Sequence, residues 1–432
     1  MTLFNNIPTV GFLDAAYRII PKDIFEFELG YLRFFMKKRS IEINTDEIKL
    51  KAVLVGVELR EAEDTASFER SVLELSELAR ACDIEVVSII SQKLKAPVAA
   101  SYVGEGKIEE IKSQMYALDA HIAVFDQSLS PVQIRNLSRE LDCEVIDRTD
   151  LILRIFSDRA RTKEARLQVE YAKLEYMLPR LAGLREGLSR QGGGSGFRSS
   201  KGAGETRLEL DRRKILNKQS LLRKELKEIE QKRNEESKKR NNSDTKRIGL
   251  VGYTNAGKST LMNRLLSLSE SRGRKDKEVF VRDMLFATLD TTVRRVQIYG
   301  HEPFLLSDTV GFIDNLPTAL IKAFRSTLRE AALSDLILIV IDCADPDYKA
   351  KEEVTLKTLK EIGAGNIPVI YVMNKIDMLP DEEKTLIMSS CEDEAVEGIL
   401  SGRIRFTVGI SASTGTGVDS LLGIIDKLTE RL

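Results

Sequence analysis

A glycine-rich stretch in the second half of the chain has the residue types and spacing that bind phosphate. It is Gly252-Tyr253-Thr254-Asn255-Ala256-Gly257-Lys258-Ser259-Thr260. A loop of this pattern turns backbone N–H groups inward, and the helix that follows presents its positive N-terminus to phosphate oxygens. Lys258 is expected to reach the outer phosphates, and the Ser259 hydroxyl to bind a magnesium ion that bridges them. The stretch therefore predicts a nucleotide-binding loop.

Two later segments are typical of loops that respond to the third phosphate of a nucleotide. They are Phe286-Ala287-Thr288-Leu289-Asp290 and, after an apolar strand, Asp308-Thr309-Val310-Gly311. Thr288 is expected to bind magnesium through its hydroxyl and the γ-phosphate through its amide. Asp308 is expected to hold the ion through water, and the Gly311 N–H to bond the γ-phosphate and release it after hydrolysis. Lys258, Thr288 and Gly311 are therefore the predicted catalytic residues.

Two further segments indicate which base is bound. They are Asn374-Lys375-Ile376-Asp377 and Ser411-Ala412-Ser413, each after a predicted strand. The Asp377 carboxylate can accept from the two adjacent N–H groups that guanine has and adenine lacks. Asn374 is expected to tie its loop to the phosphate loop, and Lys375 to lie over the base. A backbone N–H of residues 411–413 would then donate to the guanine oxygen, so GTP and GDP are the predicted nucleotides.

The residue that follows Gly311 bears on the rate of hydrolysis. Phe312 stands where many guanine-nucleotide switches have a glutamine that orients the attacking water. Phenylalanine cannot hydrogen-bond water. We therefore expect slow hydrolysis by the protein alone, and faster hydrolysis when a partner orders the first switch or donates a polar group.

Alternating strands and helices must position these segments. Around the phosphate loop, the apolar run 248–251 predicts a strand and residues 261–266 predict a helix. In the first half of the chain, strand patterns at 52–57, 85–90, 122–125 and 144–146 alternate with helical patterns at 66–80, 107–118 and 130–141. Such alternation predicts parallel sheets. Ser130 is the expected N-cap of its helix, with Pro131 at the first position.

Two apolar stripes at helical spacing predict a long antiparallel hairpin. They are Leu167, Tyr171, Leu174, Leu178 and Leu181, and then Leu208, Ile215, Leu222 and Ile229. The joining loop, residues 191–202, is rich in glycine, serine and positive charge, and we expect it to be mobile. The basic clusters of the hairpin fit either a solvated helix face or a surface for nucleic-acid phosphates. The sequence leaves both interpretations open.

The predicted organisation is an α/β protein in four parts. Residues 1–50 are an N-terminal extension, 51–157 a small α/β domain, 158–243 the helical hairpin, and 244–432 a P-loop GTPase domain with a mostly parallel sheet. A chain of 432 residues is long enough for several domains. Nothing in it demands more than a monomer.

Composition excludes several classes of protein. The 66 basic and 67 acidic residues nearly cancel, so no global charge indicates a nucleic-acid binder. Four distant cysteines and two histidines suggest neither a zinc site nor disulfides. Charged residues interrupt the apolar N-terminus before the roughly 20 residues of a membrane span, and a secretion signal is not recognisable there. We therefore expect a soluble, cytoplasmic protein without a membrane span.

A second glycine turn, Gly104-Glu105-Gly106-Lys107, raises the possibility of another nucleotide site in the first domain. Its spacing does not match the phosphate loop above. A glycine turn that leads into a helix N-terminus is the simpler interpretation, and both stay open at this stage.

Several stretches outside the nucleotide motifs resemble the HflX family of translational GTPases, from about Lys51 to the C-terminus. They include Val103-Gly104-Glu105-Gly106-Lys107, Leu129-Ser130-Pro131-Val132-Gln133, Val145-Ile146-Asp147-Arg148-Thr149, Gln191-Gly192-Gly193-Gly194 and Leu208-Glu209-Leu210-Asp211-Arg212-Arg213. The resemblance implies a cytoplasmic GTPase whose N-terminal domain and hairpin loop bind the large ribosomal subunit and its rRNA. It implies that some members split stalled or idle ribosomes, that Ser259 and Thr288 bind magnesium, and that Phe312 is usual. Some members are reported to bind ATP through the N-terminal domain.

The chain departs from the family pattern in three places. Residues 194–204 lack the usual isoleucine, Thr-Arg-Gly run and proline, residues 289–292 lack the usual proline of the first switch, and residues 1–50 are extra. Two other functions therefore stay open. One is a non-ribosomal, GTP-dependent regulatory switch that binds a protein partner through the hairpin. The other is an ATP-dependent RNA remodeller that uses the N-terminal domain.

Overall fold

The structure, a computed structural model, contains two α/β domains connected by a pair of long helices. It describes residues 50–59, 65–191, 201–240, 245–269, 286, 292–314, 330–388 and 405–430. The expectations for the N-terminal extension and for the centre of the hairpin loop, residues 192–200, lie outside the described residues.

The first domain is built on a parallel sheet of four strands. These are β1 (Leu50–Leu59), β2 (Ile84–Leu94), β3 (Ile122–Phe125) and β4 (Glu144–Asp147), in the order β2-β1-β3-β4. Alternate residues of β1 enter two separate cores, with Ala52 and Leu54 on one face and Val53 and Val55 on the other. Because helices cover both faces, β1 is a continuous apolar run, as in other parallel sheets. The predicted parallel α/β unit is confirmed.

Four helices connect and follow these strands. They are α1 (Thr65–Ala81), α2 (Glu105–Ala117), α3 (Pro131–Leu141) and α4 (Arg148–Arg159). Ser130 caps α3 as expected: its Oγ accepts from Gln133 N at 3.3 Å, and the Gln133 side chain accepts from Ser130 N at 2.8 Å. Helix α4 has no counterpart in the sequence patterns. It begins directly after β4, where Asp147 caps it by accepting from Asp150 N at 3.0 Å.

The two long helices are α5 (Lys163–Gln191) and α6 (Lys201–Arg240). Ion pairs link Lys163 to Glu225 at 3.4 Å and Glu170 to Lys218 at 2.5 Å. The partner number falls as the position along α5 rises, so the helices run antiparallel, as predicted. Among the described residues, no helix is both long enough and apolar enough to cross a membrane.

The second domain has a six-stranded sheet in the order β10-β9-β8-β5-β7-β6. The strands are β5 (Lys246–Val251), β6 (Thr292–Val296), β7 (Phe304–Asp308), β8 (Leu336–Asp342), β9 (Val369–Asn374) and β10 (Arg405–Gly409). All pairs are parallel except β6 with β7, which confirms the mostly parallel sheet. Helices α7 (Lys258–Leu268), α8 (Tyr348–Glu361) and α9 (Val418–Thr429) belong to this domain. The loops after β5, β7, β9 and β10 share one edge, where parallel sheets bind ligands.

Candidate nucleotide site

The phosphate loop leaves no room for side chains at two of its glycines. A Cβ on Gly252 would overlap the carbonyl of Val340, and a Cβ on Gly257 would overlap the side-chain amide of Asn374. Gly257 also has a φ of +94°, the left-handed region that favours glycine, and it caps α7. The Val340 carbonyl and the Asn374 side chain therefore require glycine at both positions.

Lys258 begins α7 and lies beneath the loop. Its Nζ donates to the carbonyls of Gly252 at 3.0 Å and Tyr253 at 2.7 Å. Burial lowers the pKa of Lys258 to about 8, against the opposing effect of the Asp308 carboxylate. A buried ammonium has lost most of its hydration, so it binds a phosphate oxygen strongly, because the negative charge of that oxygen compensates for the missing water.

Ser259 and Asp308 form the oxygen set in which a magnesium ion was predicted. The Ser259 hydroxyl donates to the Asp308 carboxylate at 2.7 Å, and Asp308 is fully buried at the end of β7. A hydroxyl and a carboxylate beside a phosphate cradle are ligands that suit Mg²⁺. The residues present therefore fit the ion. The other predicted ligand, Thr288, lies outside the described residues, as do Ala287, Leu289 and Asp290.

The segment after β7 is bonded directly to the phosphate loop. Phe312 N donates to the Gly252 carbonyl at 3.1 Å, and Thr254 N donates to the Phe312 carbonyl at 2.8 Å. The Thr309 hydroxyl, fully buried, donates to Leu250 at 2.7 Å. Only the backbone of Phe312 borders the loop, since its side chain is 1% exposed and packs in a core with apolar residues of β5 and β8. Val310 and Gly311 thus lie next to the cradle.

Asn374 connects the predicted base-binding segment, residues 374–377 and here called the base loop, to the rest of the site. Its Nδ2 donates to the Ala256 carbonyl at 2.8 Å, and its Oδ1 accepts from Ala412 N at 3.0 Å. The neighbouring amide, Ser411 N, donates to Thr416 at 2.9 Å. Two of the three N–H groups predicted to serve the guanine oxygen are therefore engaged within the protein, and Ser413 N is our remaining candidate donor.

Asp377 lies at the open rim of this edge. Its carboxylate accepts from the Ser413 hydroxyl at 3.2 Å, and hydrogen bonding from Ser411 is the main cause that lowers its pKa. Asp377 is therefore ionised at neutral pH, as an acceptor of two guanine N–H groups must be. Lys375 has a left-handed φ of 67°, and its Nζ lies 2.6 Å from Asp342. Ile376 is fully buried beneath them.

The structure also brings in residues of the first domain that sequence reasoning missed. The Tyr253 hydroxyl donates to Glu74 of α1. The Phe286 ring packs edge-on against Phe156 of α4, with centroids 4.6 Å apart and an interplanar angle of 83°. No spacing in the sequence connects these pairs, so only the folded chain could reveal them.

Polar groups of the second glycine turn, residues 104–107, are bonded to side chains of the same domain. Gly104 N donates to the Gln92 side chain at 3.1 Å, and Lys107 pairs with Glu110 at 2.7 Å. Acidic Glu105 occupies the first turn of α2, where a bound phosphate would meet its charge. These contacts favour the structural interpretation of the turn.

A glycine-rich phosphate loop after the first strand of a mostly parallel sheet, with the predicted base loop at the same edge, defines a P-loop GTPase. Family models match in the same order. They are "GTP-binding GTPase N-terminal" (69–157), "GTP-binding GTPase Middle Region" (159–240), "50S ribosome-binding GTPase" (247–375) and "Elongation factor Tu GTP binding domain" (322–431).

Curated relatives cover most of the chain. GTPase HflX of Lacrimispora saccharolytica is 40% identical over 89% of this chain and 84% of its own length. GTPase HflX of Escherichia coli is 41% identical over 88% of this chain and 83% of its own, and that of Flavobacterium psychrophilum is 44% identical over 76% and 75%. The chain therefore belongs to the HflX family of GTPases, and it binds and hydrolyses GTP.

Proposed function

We propose that this GTPase binds the large ribosomal subunit in its GTP form and splits or rescues stalled or idle ribosomes. In this proposal it acts in the cytoplasm as a monomer, and its N-terminal domain and helical hairpin contact rRNA. The observation that carries the proposal is the match of residues 247–375 to a family model described as a 50S ribosome-binding GTPase.

The charge and length of the hairpin support contact with RNA. Helix α6 runs for 40 residues and exposes Arg212, Arg213, Lys214 and Lys232 on its surface. Basic side chains on a long exposed helix release counterions when they meet a phosphate backbone. Such a surface favours an RNA partner over an apolar one.

Hydrolysis proceeds by in-line attack of water on the γ-phosphate. Lys258 Nζ and the Gly311 N–H donate to the γ-phosphate and stabilise the charge that develops on its oxygens. Magnesium would be held by Ser259 and Thr288, with Asp308 behind them, and would neutralise the β- and γ-phosphates when bound. Phe312 offers no polar group toward the water, so a donor or an ordering contact must come from a partner.

The test is GTP turnover by the purified protein with and without large ribosomal subunits, beside the Asp377→Ala variant. We expect strong stimulation by the subunit, and its loss in the variant because guanine is no longer recognised. If GTP binds normally and no subunit stimulates turnover, the ribosomal proposal fails and a protein partner of the hairpin becomes the better hypothesis.

Ionic strength separates the two kinds of partner. Binding to rRNA weakens steeply between about 50 and 200 mM salt, because each phosphate contact releases counterions. An interface of packed apolar helices changes little over this range. Co-sedimentation with large subunits across a salt series measures the difference, and a flat response would contradict contact with rRNA.

A further inference from the structure

Tyr253, the second residue of the phosphate loop, lies between the two domains. Its side chain is 8% exposed, and its hydroxyl donates to the carboxylate of Glu74 on α1. The same hydroxyl accepts from the backbone N–H of Asp314 at 2.8 Å. One oxygen therefore joins the phosphate loop, the N-terminal domain and the segment that follows Gly311.

Arg148 completes this arrangement from α4. Its Nη2 donates to Glu74 and, at 3.4 Å, to the carbonyl of Asp314. Its Nη1 donates to Asp126 at 2.8 Å and to the Ser71 hydroxyl at 3.2 Å. Both backbone groups of Asp314 are thus held, the N–H by Tyr253 and the carbonyl by Arg148.

Burial makes this network sensitive to displacement. The side chains of Arg148 and Glu74 are 4% and 12% exposed. Burial tends to lower the pKa of Arg148, but the Glu74 and Asp126 carboxylates outweigh it and raise the pKa, so the guanidinium stays charged. Separating buried charged partners is costly, because each would be left without solvent. The network therefore holds Asp314 in one place.

Asp314 is three residues beyond Gly311, whose N–H must meet the γ-phosphate. Gly311 is packed so closely that an added Cβ would lie 2.9 Å from Thr254 Cα and 3.0 Å from Lys258 Nζ. A phosphoryl group placed between Lys258 Nζ and the Gly311 N–H is larger than a methyl group. Entry of the γ-phosphate therefore displaces the Lys258 ammonium, residues 311–314 or both, and GDP, which has no γ-phosphate, does not need this space.

Apolar packing links both switch segments to the same domain. Phe286, Val310 and Ile313 are buried in the core that also contains Phe156 and Ile152 of α4. A shift of residues 311–314 therefore disturbs contacts with the N-terminal domain as well as the hydrogen bonds of Asp314.

We propose that Tyr253 is a positioning residue that holds residues 311–314 against the phosphate loop and so favours GDP over GTP, with Glu74 and Arg148 of the N-terminal domain as its support. Binding of GTP breaks the Tyr253 to Asp314 hydrogen bond and loosens the N-terminal domain. A partner that draws this domain away therefore raises the affinity for GTP. By reciprocity, bound GTP raises the affinity for that partner by the same factor. The proposal concerns the nucleotide cycle and holds whether or not the partner is a ribosome.

The test compares Tyr253→Phe with Tyr176→Phe. Tyr176 is a matched control, because its hydroxyl also donates to a buried carboxylate, Asp147 at 2.5 Å, and makes no hydrogen bond to the described residues of the nucleotide loops. The dissociation constants of GDP and of a non-hydrolysable β,γ-imido GTP analogue are measured by calorimetry, together with urea unfolding. We expect Tyr253→Phe to shift the ratio of the two constants about three- to tenfold toward the GTP analogue, the net effect of the one hydrogen bond between neutral groups that joins Tyr253 to Asp314. Tyr176→Phe should lower stability and leave the ratio unchanged.

A ratio within twofold of the parent protein, or a shift toward GDP, overturns the proposal. Should Tyr253→Phe fail to fold, Glu74→Gln takes its place, since it keeps the side-chain shape and removes the charge that supports Tyr253. In Glu74→Gln the ratio of the GDP and GTP-analogue dissociation constants should also shift toward the GTP analogue, and an unchanged ratio would equally overturn the proposal. In the double variant the two shifts should not add, because both substitutions disrupt one network.

Discussion

Asn374 Nδ2 lies 2.8 Å from the carbonyl oxygen of Ala256, so one side chain fastens the base loop to the phosphate loop. Its other atom, Oδ1, holds the amide of Ala412 at 3.0 Å. The residue is 2% exposed. Water therefore cannot replace either hydrogen bond. This one amide group links the phosphate loop at Ala256, the base loop at Asn374 and the segment 411–413 at Ala412.

Replacement of Asn374 by alanine should be costly for this reason. Two buried backbone groups lose their partners, at about 1–3 kcal/mol each, so the free energy of unfolding in urea should fall by about 2–6 kcal/mol. GDP affinity should fall as well. Asn136→Ala is the control, because Asn136 makes a similar bond to Ala100 at 2.9 Å on the exposed surface. Equal losses in the two variants would contradict the role of Asn374.

Two glycines allow the energetic cost of backbone strain to be measured separately from that of steric overlap. Gly257 and Gly300 have similar φ values of +94° and +81°, but an added Cβ overlaps Asn374 at Gly257 and meets nothing within 4 Å at Gly300. Gly300→Ala should cost about 1–2 kcal/mol from the left-handed backbone alone. Gly257→Ala should cost clearly more and abolish GDP binding. If both cost the same in urea unfolding, the overlap with Asn374 is unimportant.

The choice of base should depend on the Asp377 carboxylate. Asp377→Asn replaces one acceptor oxygen by a donor, which mismatches guanine and matches xanthine, whose second carbonyl accepts a hydrogen bond. We expect GDP affinity to fall by about 100-fold or more, from two hydrogen bonds to a charged group, and xanthosine diphosphate to bind instead. Fluorescence competition with both nucleotides measures this. Undiminished preference for GDP would place base recognition elsewhere.

Binding of nucleotide should depend on pH through Lys258. Its pKa is lowered to about 8 in the free protein, and bound phosphates favour the charged form. GDP affinity should therefore be constant below that pKa and fall above it, approaching tenfold per pH unit. Calorimetric titrations from pH 7 to pH 9 give the slope. Lys258→Arg keeps its charge throughout and should show little slope, and an equal slope in both proteins would assign the effect to another group.

Phe312→Gln should destabilise the protein rather than activate it. The Phe312 side chain is buried in the apolar core beneath the site, so a glutamine there places an amide among aliphatic groups, at about 1–3 kcal/mol or more. Turnover of GTP without a partner should not rise. A large gain in that rate would show that residue 312 can turn toward the attacking water.

Local patterns foretold most of the nucleotide domain. The phosphate loop follows a strand, and Asp308 and Asn374 are each the last residue of a strand. A short run of apolar residues is enough to predict where such a strand ends. The parallel pairing follows from alternation of strands and helices. The antiparallel β6 was not foreseen, because its residues, Thr292–Val296, include two arginines and show no apolar run.

The contacts between domains could not be foreseen in the same way. Glu74 and Tyr253 are 179 positions apart, and an acidic residue on an amphipathic helix is usually solvated. Arg148 opens a helix whose first turn contains charged residues that fold inward, so its pattern resembles a surface. The spacing of residues along the sequence does not reveal which charged side chains will be buried by contacts with distant parts of the chain. The roles assigned to Thr288 and its neighbours stay predictions.

The continuity of α6 has a mechanical consequence. At about 1.5 Å per residue, its 40 residues extend roughly 60 Å, so the helix can act as a lever that turns about a fulcrum at its C-terminal end, Arg240. A turn of about 10° at the fulcrum would carry the far end through about 10 Å by the same geometry. Ångström-scale changes near the nucleotide can therefore be magnified at the remote end of the hairpin.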